Sequence, residues 1–200
     1  MSLEFYTERF GEIAYYLHDK LRNVPEGTPL FTIGHSNRSE EQLIALLKDF
    51  NIACLVDVRT VPRSRAHPHF NREHMAVALP AAGIEYRHAA ALGGLRRPSK
   101  ETVNGGWTVG GFRGYADHAL GSEFAAALDD LLALCADRPT AIMCAEAVWW
   151  QCHRRIITDW VLARGIAVVH ILGPGKGEPA ALTPFARVDG RRVTYPDLLT

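Results

Sequence analysis

The sequence predicts an α/β fold, a three-layer sandwich with a mostly parallel sheet, and two observations carry this prediction. Short apolar runs alternate along the chain with longer segments in which apolar residues recur every three or four positions, the spacing of amphipathic helices. The run 52–58 is apolar at every position except Asp57, as expected of a strand with both faces buried. Because parallel strands are joined by crossover connections, we expect helices on both faces of the sheet.

A single α/β domain is predicted over residues 30–200. The chain has 200 residues, of which 48% are hydrophobic, and this is enough for one sizeable core. Residues 1–29 are predicted to form an N-terminal helical extension and linker. Apolar residues recur at helical spacing over 3–21, and Pro25, Gly27 and Pro29 follow them.

The N-terminal residues carry several charges and no sustained apolar run, so the sequence predicts neither a signal peptide nor a membrane span. We therefore expect a cytoplasmic protein without a membrane partner. The four cysteines are too sparse for a disulfide framework and are expected to be reduced: Cys54, Cys135, Cys144 and Cys152. The sequence gives no prediction of oligomeric state.

Five strands are predicted from apolar runs bounded by turn-forming residues, at 30–33, 52–58, 84–88, 141–144 and 168–172. A small C-terminal hairpin is predicted over 187–195. Its signal is the pair Asp189 and Gly190, which is typical of a two-residue turn between strands.

Helices are predicted between these strands. Ser39 and Gln42 have the spacing of a capping box and begin a helix that reaches Phe50. Further helices are predicted at 71–79, from 122 onward, and at 152–164. The stretch 92–115 contains seven glycines, too many for a regular element, so we expect a long loop there that is a candidate lid.

Polar residues collect after the predicted strands, where ligands bind in parallel sheets because helix N-termini and unpaired backbone groups meet there. They are His35, Ser36 and Asn37; Asp57, Arg59, Arg63 and Arg65; His88; and Cys144, Glu146, Cys152, His153 and Arg154. The formal net charge is zero, but residues 59–115 hold nine basic and three acidic side chains. The middle of the chain therefore favours an anionic partner.

The motifs of the chain resemble the family called domain of unknown function 488 over about residues 31–172. The resemblance is carried by TIGHSNRSEEQLIALLK, LVDVRTVPRSR, HFNRE, GIEYRH, ALGG, FRGYAD and CAEAVWWQCHRRII. It implies membership of a family and no reaction.

A looser likeness is to rhodanese-like domains, in which a strand ends in Asp-Val-Arg and a later strand ends in a cysteine before a phosphate-binding turn and helix. This chain has Asp57-Val58-Arg59 and, later, Cys144. It departs from the pattern after Cys144, where the loop holds Glu146 and two tryptophans and no glycine. The likeness is one of fold, and it puts direct transfer of rhodanese or phosphatase activity in doubt.

Three chemistries stay open at this edge of the sheet. In the first, Cys144 is a nucleophile, because a thiol near a helix N-terminus, an arginine or a histidine ionises readily. Cys152 is then a candidate resolving partner, and Glu146 opposes formation of the thiolate unless it pairs with an arginine.

In the second, a zinc or iron ion is bound by Cys144, Cys152 and His153, with His35 or Glu146 as a further ligand. Adjacent helical residues point in different directions. Cys152 and His153 can therefore reach one ion only at the first turn of their helix.

In the third, Arg59, Arg63, Arg65, His153 and Arg154 form a phosphate site together with the helix N-terminus near Cys152. Asp57 and Glu146 then hold the arginines in place or act as acid and base, and His35 and His88 are candidates for proton transfer.

The preferred hypothesis is a hydrolase or group transferase acting on an anionic, phosphate-bearing substrate such as a nucleotide or nucleic acid. The predicted catalytic residues are His35, Asp57, Cys144 and Glu146. The predicted substrate-binding residues are Arg59, Arg63, Arg65, His88, Arg113, Cys152, His153 and Arg154. The sequence has no dinucleotide or Walker fingerprint, so no cofactor is assigned. The alternatives are a non-catalytic nucleotide or nucleic-acid binding module and a metal-dependent enzyme of zinc or iron.

Overall fold

The computed structural model describes residues 28–197, and its centre is a six-stranded sheet. The strands are β1 (Leu30–Gly34), β2 (Cys54–Asp57), β3 (Glu85–His88), β4 (Thr140–Cys144), β5 (Val168–Gly173) and β6 (Lys176–Pro179). Their order is β3-β2-β4-β1-β5-β6, with every neighbouring pair parallel except β5 and β6. The predicted mostly parallel sheet is confirmed. The helix expected over 3–21 lies outside the described residues.

Over the described residues 28–197, five α-helices cover the sheet: α1 (Glu40–Asp49), α2 (Arg72–Ala81), α3 (Gly110–Ala119), α4 (Ser122–Asp137) and α5 (Arg154–Leu162). The buried residues of α1 and α2 belong to one hydrophobic core and those of α3, α4 and α5 to a second core. The two cores lie on opposite faces of the sheet, since strand residues alternate between them. Phe31 and Ile33 belong to the first core and Leu30 to the second. The predicted three-layer sandwich is therefore confirmed.

The N-terminus of α1 shows how local sequence sets an element. The Ser39 side-chain oxygen accepts a hydrogen bond from the backbone N–H of Gln42 at 3.2 Å. The Gln42 side-chain oxygen in turn accepts one from the backbone N–H of Ser39 at 2.9 Å. This reciprocal pair is the capping box that the sequence predicts, and it satisfies two backbone donors that the helix leaves unpaired.

Helix α3 corrects the expectation that the glycine-rich stretch 92–115 lacks a regular element. The helix forms because Tyr115, Ala116 and Ala119 bury one face of it. Gly114 is needed at this point, since a Cβ there would stand 2.6 Å from the backbone oxygen of Arg96. A residue type that weakens helices is present here because another segment of the backbone lies against the helix.

The remaining differences from the sequence prediction are small. Helix α5 begins at Arg154, and Cys152 and His153 precede it after a short 3-10 turn at Trp149–Gln151. The predicted hairpin is present as β7 (Arg187–Asp189) and β8 (Arg192–Thr194), with a turn one residue later than expected because Asp189 pairs with Arg192. Strand β6 is an antiparallel edge strand that the sequence analysis did not predict.

The sheet opens a crevice between β1 and β4. These strands are neighbours, but α1 follows β1 onto one face and α5 follows β4 onto the other. In α/β folds, ligands bind where neighbouring connections diverge in this way. Within residues 28–197, no helix has the length and apolar character needed to cross a membrane.

Candidate functional site

A cleft of about 820 Å³ lies at the carboxyl ends of β1, β2 and β4. Its floor is formed by residues that follow these strands, including His35, Arg59, Cys144 and Glu146, and by Cys152 and His153 before α5. Segments around 94–95 and 109–112 complete its wall. The cleft occupies the crevice at which the strand order places a binding site.

Three side chains meet on the floor of this cleft: Cys144, Cys152 and His153, here called the Cys–His cluster. The His153 Nδ1 atom lies 3.7 Å from the Cys152 Sγ and 3.8 Å from the Cys144 Sγ. The three potential ligand atoms all lie within 4.8 Å of one another. The structure thus brings together the three residues proposed from sequence as the core of a metal site.

The surroundings of His153 fix the direction of its lone pair. Its Nε2–H donates a hydrogen bond to the Val58 backbone oxygen at 3.0 Å. In the neutral imidazole, the other nitrogen, Nδ1, is then the acceptor. The ring centroids of Tyr115 and His153 lie 5.0 Å apart in an edge-on arrangement. Gly94 also lies close to the His153 ring, since a Cβ at this position would stand 2.5 Å from Nδ1. The ring is therefore held with Nδ1 toward both sulfurs, where it presents a lone pair in the neutral imidazole and an N–H in the imidazolium.

Both sulfurs receive N–H donors from the protein. The backbone N–H and the Nε–H of Arg154 point at the Cys152 Sγ at 3.5 and 3.4 Å, and the backbone N–H of Glu146 points at the Cys144 sulfur. Arg154 is 1% exposed and is anchored by the Glu146 backbone oxygen at 2.6 Å. Donors of this kind stabilise negative charge on sulfur.

The two thiols titrate as a pair. Burial by itself raises the pKa of Cys152, but Cys144, His153 and Arg154 together hold this pKa well below its usual range. The pKa of Cys144 is raised, first by its hydrogen bond to Cys152 and then by burial. The pair therefore favours a negative charge on the Cys152 sulfur over one on the Cys144 sulfur.

A second polar group lies beside this one and is here called the Asp–Arg cluster: Asp57, Arg59, His35 and Tyr86. Arg59 donates to both carboxylate oxygens of Asp57, through Nε at 2.8 Å and Nη2 at 2.5 Å. The Tyr86 hydroxyl donates to the same carboxylate at 2.8 Å. Asp57 is fully buried and does not line the cleft. Its charge is therefore paired with Arg59 inside the fold.

His35 completes the Asp–Arg cluster as a neutral ring. Its Nδ1–H donates to the Ser36 backbone oxygen at 2.9 Å, and its Nε2 accepts from Arg59 Nη1 at 3.1 Å. Burial is the main cause that lowers its pKa to about 4, the charge of Arg59 adds to it, and the hydrogen bond to Ser36 opposes it. His35 lies at the cleft floor, but both of its ring nitrogens are engaged.

Glu146 is the acidic side chain in the cleft lining. Its side chain is exposed, and it lies two residues after Cys144 in the sequence. Of the predicted catalytic residues, it is the one carboxylate residue in the cleft lining, and a carboxylate near a metal or thiol centre can take up a proton during a reaction.

The other predicted binding residues are spread more widely. Arg63 lines the cleft with an exposed side chain and makes a loose ion pair with Glu73 at 3.8 Å. Arg65 is exposed and outside the lining. His88 lines a separate cavity of about 710 Å³ and donates to the Arg59 backbone oxygen. Arg113 is half-buried and outside the cleft lining.

Several residues of the cleft were missed by the sequence analysis. They are two hydroxyl residues, a glycine that contacts His153 and three exposed aliphatic residues: Thr60 and Ser64; Gly94; and Val61, Leu95 and Val109. The pair Gly93 and Gly94 is a signal that could have been used, since adjacent glycines allow close approach of another group. The aliphatic residues carry no such signal.

The Cys–His cluster has the donors and spacing of a three-ligand zinc or iron site. Ideal tetrahedral zinc places sulfur and nitrogen ligands about 3.6 Å apart, close to the distances seen here. A metal-bound histidine commonly donates its other N–H to a backbone carbonyl, as His153 does to Val58. Three protein ligands leave a fourth position, and this arrangement is typical of catalytic rather than structural zinc.

Comparison with known proteins places the chain in a family. The family model described as domain of unknown function DUF488 matches residues 39–161, so the chain belongs to this family and the resemblance found from the sequence motifs is confirmed. No curated protein and no solved structure matches the chain significantly. The looser rhodanese-like likeness stays a prediction.

Proposed function

We propose that this protein is a metal-dependent hydrolase or group transferase that acts on an anionic, phosphate-bearing small molecule. The observation that carries the proposal is the convergence of Cys144, Cys152 and His153 on the cleft floor, with ligand atoms within 4.8 Å of one another. Each of the three side chains has a hydrogen bond to another group of the chain. The remaining coordination position of the cluster faces the cavity. Zinc or iron held there supplies a Lewis acid and lowers the pKa of a water molecule.

In the proposed reaction, Glu146 accepts a proton from the attacking water while the water oxygen bonds to phosphorus. The bond between phosphorus and the leaving oxygen then breaks, and Glu146 returns the proton to that oxygen. Arg63, on the same cleft wall, contributes positive charge for the phosphate. Arg59, Asp57 and His35 hold the floor in place through their own hydrogen bonds and are proposed as positioning residues.

Thiol chemistry by Cys152 is a second candidate, and a specific observation favours it. His153 and Arg154 stabilise the thiolate of Cys152, as a nucleophile requires. We rank it second because Cys152 is only 2% exposed. A metal uses all three side chains, whereas a nucleophile needs one.

A non-catalytic nucleic-acid module receives less support. Of the five residues expected to form an anion site, Arg59 and Arg154 are buried in internal hydrogen bonds. His153 is engaged with Val58 and the two thiols. Arg63 remains on the cleft wall and Arg65 outside it, fewer cations than a nucleic-acid backbone normally requires.

The proposal is tested by metal analysis of tag-free protein purified without a chelator. The wild type is expected to hold about one zinc or iron ion per chain, and Cys144→Ser, Cys152→Ser and His153→Ala are each expected to lose it. Cys135→Ala is the matched control, because Cys135 is a buried thiol in α4 outside the cleft lining, and it should keep the metal. A stably folded wild type without metal contradicts the proposal.

The role of Glu146 has its own test in the metal-loaded protein. Glu146→Gln keeps the size of the side chain and removes the proton acceptor. It should retain the metal while lowering hydrolysis of 4-nitrophenyl phosphate by about 100-fold or more. Hydrolysis at the wild-type rate by Glu146→Gln contradicts this role and leaves the metal assignment standing.

A further inference from the structure

We propose that the substrate is a phosphate ester whose other part is an apolar group, with the phosphate at the Cys–His cluster and the apolar group at the mouth of the cleft. This inference rests on the proposed function, since it names the substrate class of the same site. The feature that carries it is a group of three exposed aliphatic side chains, Val61, Leu95 and Val109, here called the apolar rim.

The apolar rim gathers unusually exposed side chains around one cavity. Leu95 is 79% exposed, Val61 60% and Val109 57%. All three line the cleft that also contains the Cys–His cluster. Single exposed aliphatic residues are common on protein surfaces, but a group that lines one cavity together with polar side chains is typical of a binding site.

The rim residues come from three separate segments, and each segment is held in place. The Leu95 backbone N–H donates to the Thr60 hydroxyl at 3.2 Å, which joins the segments of Leu95 and Val61. Val109 is the residue before α3, and its backbone oxygen accepts from the Arg113 N–H at 3.1 Å. These side chains are therefore exposed on segments whose backbone is held in place by hydrogen bonds.

The same contacts join the rim to the Cys–His cluster. Gly94, which is next to Leu95, lies against the His153 ring. The backbone oxygen of Val58 accepts a hydrogen bond from His153, and Val58 lies three residues before Val61 in the sequence. An apolar group at the rim and a polar group at the cluster would thus occupy fixed positions relative to each other. A substrate with two chemically different ends fits this arrangement.

The polar side chains on the cleft wall specify the charged end. Arg63 and Ser64 follow Val61 on the same segment, Ser36 and Asn37 follow β1, and all four line the cleft. One arginine, hydroxyls and an amide can donate to phosphate oxygens. The cavity of about 820 Å³ lies within the range for small-molecule sites, so an apolar group and a phosphate can be held together inside it.

The test compares two probes by calorimetry on the metal-loaded protein: inorganic phosphate and phenyl phosphate. We expect phenyl phosphate to bind the wild type about tenfold or more tightly than inorganic phosphate does, because only phenyl phosphate can bury apolar surface at the rim. Leu95→Ser should remove most of this difference. It should leave the affinity for inorganic phosphate and the metal content unchanged.

Val77→Ser is the matched control. Val77 is 71% exposed, similar to Leu95, and lies on α2 outside the cleft lining. Val77→Ser should bind both probes as the wild type does. Equal affinity for the two probes in the wild type, or no measurable binding of phenyl phosphate, overturns the rim proposal while the metal content still decides the proposed function. If Leu95→Ser changes self-association and not phenyl phosphate binding, the rim is an interface between copies of the chain and the proposal is also overturned.

Discussion

The Asp–Arg cluster and the Cys–His cluster follow neighbouring strands, yet their polar atoms are used in opposite ways. Asp57 ends β2 and Cys144 ends β4, and the two strands pair in register with Asp57 opposite Met143. In the Asp–Arg cluster, each carboxylate oxygen and each ring nitrogen of His35 has a partner from within the chain. In the Cys–His cluster, three ligand atoms face one another and the cleft.

This difference separates a cluster that stabilises the fold from one that we propose binds a metal ion. Buried charges are tolerated where they are paired and fully hydrogen-bonded, as they are around Asp57. A lone pair of His153 directed at two sulfurs is of little use to the fold but is suited to a metal ion. Changes in the Asp–Arg cluster should therefore alter stability, and changes in the Cys–His cluster should alter metal binding.

The largest expected effect is that of Asp57→Ala. It leaves the buried Arg59 guanidinium without its counter-charge, and breaking a buried ion pair in this way costs about 3 to 5 kcal/mol of unfolding free energy. Urea unfolding of metal-free protein measures this loss directly. A loss below about 1 kcal/mol would show that the ion pair is not the main support of this strand end.

Acid should weaken the Asp–Arg cluster through His35. Burial is the main cause that lowers the pKa of His35 from its ordinary value of 6.5 to about 4. The unfolded chain therefore takes up a proton on this residue as the pH falls below 6.5, while the folded chain does not. Stability is retained above pH 6.5 and lost as the pH falls toward 4, by about 2 to 3 kcal/mol.

The check is a series of urea unfolding curves between pH 7 and pH 4 for the metal-free wild type and His35→Asn. The variant lacks the titrating ring and should lose less stability over this interval. Identical slopes for the two proteins would assign the acid sensitivity to other groups.

An intermediate effect is expected for Gly94→Ala, which changes a residue that packs against the Cys–His cluster. The added methyl group would stand 2.5 Å from His153 Nδ1, the proposed ligand atom, and the ring must move. Disturbing the support of a metal ligand typically lowers metal affinity by about 10- to 100-fold, which competition with a zinc-binding dye measures. Gly111→Ala is the control, because Gly111 also lines the cleft but a Cβ there meets nothing within 4 Å. Equal zinc affinity in both variants would argue against His153 as a ligand.

The smallest effect is expected for Tyr86→Phe, which removes one hydrogen bond to Asp57 and leaves the ion pair with Arg59 in place. A single hydrogen bond to a charged group contributes about 1.5 to 3 kcal/mol, and the half-buried position of Tyr86 puts the expected loss at the lower end. Thermal unfolding against the wild type measures it. A loss as large as that of Asp57→Ala would mean that Tyr86, rather than Arg59, stabilises the carboxylate.

Much of the fold follows from local patterns in the sequence. The buried run of β2 and the capping box of α1 need only neighbouring residues to be recognised, and both are present. Helix α3 was missed because its glycines lower helix propensity. Gly114 is explained only by the backbone of 96–98 packed against it, and this contact is not visible in the sequence.

The site was predictable as a place and only partly as a set of partners. Residues after parallel strands meet at one edge of the sheet, so the gathering of His35, Arg59 and Cys144 at one cleft was expected from the sequence. Which polar groups pair depends on the face toward which each strand residue points, and a shift of one residue reverses that face. Asp57 and Cys144 belong to opposite faces, and the sequence could not show that Arg154 would be buried behind Cys152.

X-ray absorption at the metal edge of the protein as purified tests whether the Cys–His cluster is a metal centre open to the cleft. For zinc, we expect two sulfur ligands at about 2.3 Å and two nitrogen or oxygen ligands at about 2.0 to 2.1 Å, of which His153 supplies one and solvent the other. A spectrum without sulfur ligands, or one with a fourth ligand from the protein, would contradict this expectation.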